Sequence, residues 1–488
     1  MMLLKEILYK VNIESVVGST DKKVQSIVFD SRKVELNSVF VAITGVAIDG
    51  HKFIKNAIEL GATAVVVEKL PEDQIENVTY IQVPSTKKAL AFMAANFYGN
   101  PSKDLKLVGI TGTNGKTTCT SLLYRLFKSC GFKSGLISTV HILVDTTEYK
   151  ATHTTPDPLT INHYLAEMRD AGVDYCFMEV SSHGIHQERT TGLHFAGGIF
   201  TNLSHDHLDY HKTFAEYRDV KKRFFDELPA SAFALTNKDD KNGDVMLQNT
   251  KAVKRGYALK SFTDYRAHII ENQFGGLLLK INDQEVWCKM IGQFNAYNIA
   301  AIYGCAVELG LEPIEVLEKI SQLEGVSGRF QYFTTAEDKI TAIVDYAHTP
   351  DALKNVIETI NAIRTKNETL ITVVGCGGDR DATKRPKMGM IAASLSDKVI
   401  FTSDNPRTED PQAILDDIEA GVEPQDFKKT VTVVDRKQAI KTAAVMAQPN
   451  DIILIAGKGH ETYQEINGVR NDFDDREIIA SLLNKLNK

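Results

Sequence analysis

The sequence predicts an α/β protein of three domains: a smaller α/β domain over residues 1–103, a central domain with a mostly parallel sheet over 104–331, and a Rossmann-like domain over 332–488. Three observations predict it. A chain of 488 residues is too long for one hydrophobic core. Short β-rich runs alternate with helical patterns along most of its length, as they do in parallel sheets. Several of those runs end abruptly in glycine-rich or polar turns, and in open parallel sheets ligands bind at the carboxyl ends of the strands.

The first unit contains the runs VQSIVFD, SVFVAI, ATAVVVE and VTYIQV, followed by the helical stretch KKALAFMAANFYG. MMLLKEILYK at the start reads as an amphipathic helix rather than a signal peptide. The polar, proline-containing GNPSKD, residues 99–104, reads as a linker. The second unit opens with the strand LKLVGI, passes through the glycine-rich TGTNGKTT and enters the helix CTSLLYRLFKSCGF, with further strands SGLIST, YCFMEV, AGGIFTN and AFALTN. The third unit begins near residue 332, and its runs ITAIVDYAH, LITVVGCGGDRD, KVIFTSDNPR, VTVVDRK and IILIAGKGHE each finish in a polar turn. That unit should therefore face a ligand.

Composition narrows the function. With 43% hydrophobic and 24% charged residues the chain is ordinary for a soluble protein, and no apolar run approaches the ~18 residues of a membrane span. A net charge of -7 argues against nucleic acid as a partner, which needs a basic face. The six cysteines are scattered without a CxxC pair, which suits reduced thiols. Cytoplasmic localisation, no membrane partner and a monomer are the expectations.

GTNGKTT, residues 112–118, lies between an apolar strand and a helix, so its backbone N–H groups and the helix N-terminus can cradle phosphates. Gly112, Thr113, Asn114, Gly115, Lys116, Thr117 and Thr118 are candidate nucleotide contacts, with Lys116 reaching the β/γ phosphates and Thr117 on Mg²⁺. The loop departs from a regular Walker A, because Ile110 stands where the first glycine belongs. Glu179, at the end of YCFMEV, is a carboxylate suited to a hard magnesium ion. HDHLDYH, residues 205–211, nearly matches the HxHxDH signature of metallo-β-lactamase-type hydrolases, but Tyr210 stands where that signature needs histidine. His207 is the candidate ligand for a second Mg²⁺, and His205 and His211 read as surface or hydrogen-bonding residues.

GTNGKTT, HTTPDP, EVSSHGIHQERTTG, TNLSHDHLDYH, GQFNAYNIAA, GVSGRF, DYAHTPDAL, GCGGDRDATKRPKMG, SDNPRTEDP and AGKGHE occur in the order and spacing of the ATP-dependent Mur ligases, which the chain resembles over nearly its whole length. The resemblance implies a central P-loop ATPase-like domain, ATP as co-substrate, two Mg²⁺ ions, and metal ligation by Thr117, Glu179, His207 and a CO₂-derived carbamate on Lys221, the lysine of a YxxxK motif starting at Tyr217. It implies nucleotide contacts at Asn295, Asn298, Arg329 and Asp345, with ATP between the second and third domains and helping to close them. The implied substrates are UDP-N-acetylmuramoyl-L-Ala-D-Glu and meso-diaminopimelate.

For the uridine nucleotide the candidates are Ser31 and the turn from Val46 to Asp49; for the muramoyl-dipeptide they are Thr154, Thr155, Ser181, Gln187 and Arg189, with the role of His153 open. For the amino acid they are Arg380, Asp404, Asn405, Pro406, Arg407, Gly457 and Glu461. Arg407 carries the choice of diaminopimelate over L-lysine, because a guanidinium fork suits the extra carboxylate. Glu461 suits an ammonium group. The alternatives are the same ligation with L-lysine, folate polyglutamation, a zinc hydrolase and a non-enzymatic P-loop switch.

Overall fold

The computed structural model describes residues 1–45 and 48–488, with the side chain of Asp209 also left aside. Its strands form three main sheets. The first, of five strands, runs in the order Ser15–Val17, Thr79–Gln82, Ala62–Val67, Ser38–Val41, Ser26–Val28, and only the Ser15–Val17 edge is antiparallel. Its β-branched strands bury both faces: Val39, Val41, Ala64 and Val66 pack on one side, Phe40, Val65 and Val67 on the other.

The first ten residues correct the sequence reading. Helix covers only Leu4–Ile7, and Met2–Leu3 pair as a strand with Lys23–Val24. An isolated amphipathic stretch of this length cannot nucleate a long helix, so backbone pairing takes the leading residues. GNPSKD is likewise more than a linker: Pro101 and Ser102 are buried, and the Ser102 hydroxyl accepts a hydrogen bond from the His194 amide at 3.0 Å.

The central sheet has eleven strands. At its centre Lys106–Thr111 lies between Tyr175–Glu179 and Phe195–Phe200, all parallel. Glu179 pairs with Ile110, and Phe200 with Thr111. The glycine-rich loop, the Glu179 turn and the TNLSHDH loop therefore leave the same carboxyl edge side by side. Beyond this parallel core the sheet continues into the antiparallel strands Tyr265–Gln273, Gly276–Ile281 and Gln284–Cys288.

The third sheet has six strands, ordered Gln331–Thr334, Thr341–Asp345, Ile452–Ala456, Leu370–Val374, Lys398–Phe401, Thr430–Thr432. The last five are parallel, and the fully buried runs Thr341–Asp345, Ile452–Ala456 and Leu370–Val374 fit a sheet covered on both faces. Asp345 pairs with Ala456, Ala456 with Val374, and Val374 with Phe401. The DYAHT, GKGHE, GCGGDRD and SDNPR turns thus emerge as neighbours. Ile291 and Phe330 pack into the third sheet's core with Ile343 and Leu353, making apolar the junction with the central domain.

Arg436 and Asp475 form an ion pair with both side chains fully buried. Arg436 Nε and Nη2 reach the two Asp475 oxygens at 2.9 and 2.7 Å, and Nη2 also donates to the Ala456 carbonyl at 3.0 Å. The pair ties a helix start to the end of the strand that precedes GKGHE. Removing one partner leaves a buried charge uncompensated. Arg436→Met should therefore cost about 3–5 kcal/mol, and Arg436→Met with Asp475→Leu should recover most of it. Hydrogen exchange of Lys398–Phe401 and Ile452–Ala456 under urea checks this.

Candidate active site

Gly112 has φ 149°, and a Cβ there would sit 1.9 Å from the Thr201 hydroxyl oxygen, so only glycine lets the loop pass the neighbouring strand end. The loop is braced from that strand: Asn114 N–H donates to Asn202 Oδ1 at 2.9 Å, and Thr201 Oγ1 donates to the Asn114 carbonyl at 2.6 Å. Thr113 Oγ1 lies 3.1 Å from the Tyr217 hydroxyl. Lys116 opens the helix Lys116–Ser129 and folds its ammonium onto the Gly112 and Thr113 carbonyls at 2.9 and 2.8 Å. Loss of hydration lowers its pKa, against the charges of Glu179 and Asp206.

Lys221 is 1% exposed, from the helix Phe214–Asp226. Its Nζ donates to the same Gly112 carbonyl, at 3.0 Å, and sits 4.8 Å from the Tyr217 ring. Two lysine ammoniums thus share one carbonyl. Burial, then the Lys116 charge, pushes Lys221 well below the ordinary lysine pKa, with Asp206 opposing.

Glu179 is 0% exposed and both carboxylate oxygens are held by a residue the sequence reading did not single out. Thr139 donates to Oε1 from its backbone N–H at 2.8 Å and to Oε2 from its hydroxyl at 3.1 Å. Thr139 closes the run SGLIST, and the parallel pairing of that strand with Tyr175–Glu179 is what sets it against Glu179. Asn202 was missed in the same way.

The histidine cluster does not converge. His205 is exposed; His211 is buried, its Nε2 2.9 Å from Ser182 Oγ; His207 borders the cleft. Burial, with Lys116 and Lys221 adding to it against Asp206, pushes His207 down to about 4. Its imidazole is therefore neutral near pH 7, with a lone pair for a cation. Among the described residues no three His, Cys, Asp or Glu side chains gather as a metal cage. Thr117, Glu179 and His207 border the glycine-rich loop, a sparse donor set that would suit Mg²⁺, which takes few protein ligands and completes its shell with phosphate and water.

A cleft of about 690 Å³ joins the two larger sheets. Thr113 to Thr118, Glu179, His207 and Asn298 line it from the central domain, Asp345, His348 and Asp351 from the third, with Arg329 between them. Arg329 Nη2 donates to Thr117 Oγ1 at 3.0 Å, its guanidinium lies 4.4 Å from the Tyr346 ring, and its buried Nε lacks a partner among the described residues. Asn114 Nδ2 donates to Asp351 Oδ2 at 3.2 Å across the same junction. Asp345 accepts from the Phe330 amide at 2.6 Å, and burial lifts its pKa to about 6 against Arg329. Asn295 stands behind the cleft, donating to the Ile291 carbonyl at 2.8 Å and accepting from Asn298 at 3.1 Å.

The remaining candidates fall in three groups, the first of which reaches the same cleft. Thr154 lines the cleft, while Thr155 is 1% exposed and donates to the Glu179 carbonyl at 2.8 Å, and Ser181 caps the helix Ser182–His186. Arg189 donates to Gln187 Oε1 at 2.7 Å and to the Thr155 carbonyl at 2.6 Å. In the first domain Ser31 opens a single 3₁₀ turn, and Asp49 accepts from the His51 amide at 3.0 Å; Val46 lies outside the described residues.

The third group lies at the edge of the third sheet. Arg407 adopts φ 53°, uncommon for a residue with a side chain. Its Nη1 donates to the Gly378 carbonyl at 2.6 Å, and its backbone is clasped by Glu465 and Asn467. Gly457 has φ 117°, and a Cβ there would meet Asp404 Oδ2 at 2.5 Å. Pro406 and Asn405 are buried and Arg380 is exposed.

A phosphate-cradling loop on one parallel sheet, faced across a cleft by the polar strand ends of another, defines a nucleotide-dependent enzyme that brings reactants together between domains. Three family models match the chain: the Mur ligase family catalytic domain over residues 23–98, the Mur ligase middle domain over 110–306 and the Mur ligase glutamate ligase domain over 328–459. The chain belongs to the Mur ligase family. A relative from Cytophaga hutchinsonii named UDP-N-acetylmuramoyl-L-alanyl-D-glutamate--2,6-diaminopimelate ligase is 54% identical over 100% of both chains, and one of the same name from Phocaeicola vulgatus is 51% identical over 99% of both. A solved structure of that name matches with TM-score 0.70 and 32% identity, over 100% of this chain and 99% of the other.

Thr139→Val keeps the side chain's shape and the amide bond but deletes the hydroxyl that orients Glu179. Partners that orient a metal's ligands are typically worth 10–100-fold in metal affinity or activity. The Mg²⁺ concentration for half-maximal activity should rise about tenfold, with activity returning at high Mg²⁺. A magnesium titration identical to wild type would remove Thr139 from the site.

Proposed function

We propose that the protein is an ATP-dependent ligase that adds meso-diaminopimelate to UDP-N-acetylmuramoyl-L-alanyl-D-glutamate. The observation that carries the reading is the opposition, in one cleft, of the Lys116 loop, Glu179 and His207 to Arg329 and Asp345. The names of the relatives support the amino acid. In the reaction a D-glutamate carboxylate oxygen attacks the γ-phosphorus of ATP, the bond to the β,γ-bridging oxygen breaks, and ADP leaves. The amine of diaminopimelate then attacks the acyl phosphate, losing a proton as phosphate departs and the amide forms.

No protein nucleophile is needed, so the chain's work is charge neutralisation and alignment. Lys116 and the loop amides hold the terminal phosphates. Arg329, beside Thr117, contacts the nucleotide and Asp345 accepts from it, with Asn298 and Asn295 as further contacts. Thr154, Thr155, Ser181, Gln187 and Arg189 hold the muramoyl-dipeptide, and Ser31 with the turn reaching Asp49 holds the uridine end.

Thr117, Glu179, His207 and Lys221 as its carbamate would hold two Mg²⁺, which supply positive charge where carboxylate and triphosphate meet. The buried amine of Lys221, beside a second lysine, favours the neutral form that reacts with CO₂, and carbamylation turns a repelling cation into an oxygen ligand. Lys221→Ala should be nearly inactive and partly rescued by short-chain carboxylic acids, measured as phosphate release; full activity without additives would remove Lys221 from the metal site.

At the third sheet's edge Arg407 receives the distal carboxylate of diaminopimelate, with Arg380 beside it, and Glu461 an ammonium. L-Lysine lacks that carboxylate, so Arg407 favours diaminopimelate. The deciding experiment is phosphate release from ATP with the UDP-dipeptide, Mg²⁺ and bicarbonate, comparing the two amino acids. Release with diaminopimelate is expected, and release with lysine alone would overturn the specificity. Arg407→Ala should raise the KM for diaminopimelate far more than that for ATP; unchanged kinetics with diaminopimelate would contradict the role.

A further inference from the structure

Lys458 is 0% exposed, yet it is a lysine in the turn after a buried strand. Its Nζ donates to Asn405 Oδ1 at 2.9 Å and to Glu461 Oε2 at 3.0 Å, and lies 5.4 Å from the Tyr463 ring. Asn405 joins the same arrangement from the turn after Lys398–Phe401, a strand separated from Ile452–Ala456 by Leu370–Val374. Its Nδ2 donates to Glu461 Oε2 at 2.8 Å, and its Oδ1 also accepts from the Glu465 amide at 2.9 Å. Two donors meeting Oδ1 and a carboxylate meeting Nδ2 fix which way the amide points. Both donors to Glu461 go to the same oxygen, Oε2.

We propose that Lys458 is a positioning residue for the amino-acid substrate: its buried ammonium, with Asn405, anchors Glu461 through Oε2 and so turns Oε1 toward the incoming ammonium group. The inference rests on the reading of Glu461 as the acceptor of that ammonium. A largely covered carboxylate anchored at one oxygen has one orientation to offer, whereas a free glutamate side chain would lose rotamer entropy at each binding event. Charge gives the arrangement a second purpose. Asp404 lies close by, against Gly457, and two carboxylates without Lys458 would repel. With Lys458 present the pair carries one net negative charge, which matches one ammonium.

The groups that face Glu461 from the surrounding elements are Asp404 and Asn405 on the SDNPR turn, Lys458 on its own turn, Tyr346 after the first parallel strand, Tyr463 on the following hairpin, and Arg436, itself paired with Asp475. Burial, then Asp404, raises the Glu461 carboxyl above its ordinary range, and Lys458 and Asn405 oppose the rise. Deleting Lys458 removes a lowering influence. Glu461 then takes its proton at higher pH, and the acid limb of diaminopimelate use moves upward.

The test is steady-state phosphate release by the full chain, varying each substrate in turn, for wild type, Lys458→Met, Glu461→Gln and the double variant. Lys458→Met should raise the KM for diaminopimelate about tenfold or more, leave the KM for ATP and for the UDP-dipeptide within about twofold, and shift the acid limb of kcat/KM for diaminopimelate to higher pH. Because Lys458 acts through Glu461, the double variant should be no worse than Glu461→Gln. The inference is overturned if all three KM values rise together, if the acid limb stays in place, or if the two single effects multiply. If Lys458→Met does not fold, Lys458→Gln, shorter and able to hydrogen-bond, is read by the same criteria. Wild-type protein that releases no phosphate with diaminopimelate would instead fail the proposed function, and this inference with it.

Discussion

Parallel register is the constraint on which the site depends. Glu179 pairs with Ile110 and Phe200 with Thr111, so three loops carrying a phosphate cradle, a carboxylate and an imidazole leave one sheet edge within reach of one another. A slip of one residue would turn Glu179 to the other face of the sheet. The third sheet repeats the device, with Asp345, Ala456, Val374 and Phe401 in one row and its polar turns just beyond. Each sheet core is apolar on both faces, which leaves the carboxyl edge as the place where charged groups can meet.

Charge decides how those edges are used. The central edge concentrates Lys116 and Lys221 on one carbonyl, a repulsive arrangement that anionic phosphates would relieve. The third edge has the opposite problem, since Asp404 and Glu461 face each other and Lys458 offsets one of them. The cleft thus gathers cationic side chains at one end, and the edge of the third sheet gathers carboxylates. This division fits a reaction in which a triphosphate and a carboxylate meet before an amine arrives.

Much of this was legible in the sequence because the decisive signals are local. The strand before TGTNGKTT, the acidic Glu179 after the apolar YCFM and the five polar turns of the third unit place their residues on sheet edges without knowledge of tertiary contacts. What escaped depends on contacts between distant segments. Nothing in MMLLKEILYK announces that Met2–Leu3 will pair with Lys23–Val24. Thr139 and Asn202 look like turn residues until the sheet order sets them against Glu179 and the glycine-rich loop. Lys458 read as part of a motif, and only its full burial against Asn405 and Glu461 gives it a role.

The central claim is that the two edges serve a carboxylate that is first phosphorylated and then attacked by an amine, which displaces the phosphate. The most direct measurement uses UDP-N-acetylmuramoyl-L-alanyl-D-glutamate labelled with ¹⁸O in the reacting carboxylate, followed by mass analysis of the phosphate released on ligation. The account predicts one labelled oxygen in each phosphate, because the oxygen that attacks phosphorus leaves with it. Phosphate free of label would contradict it.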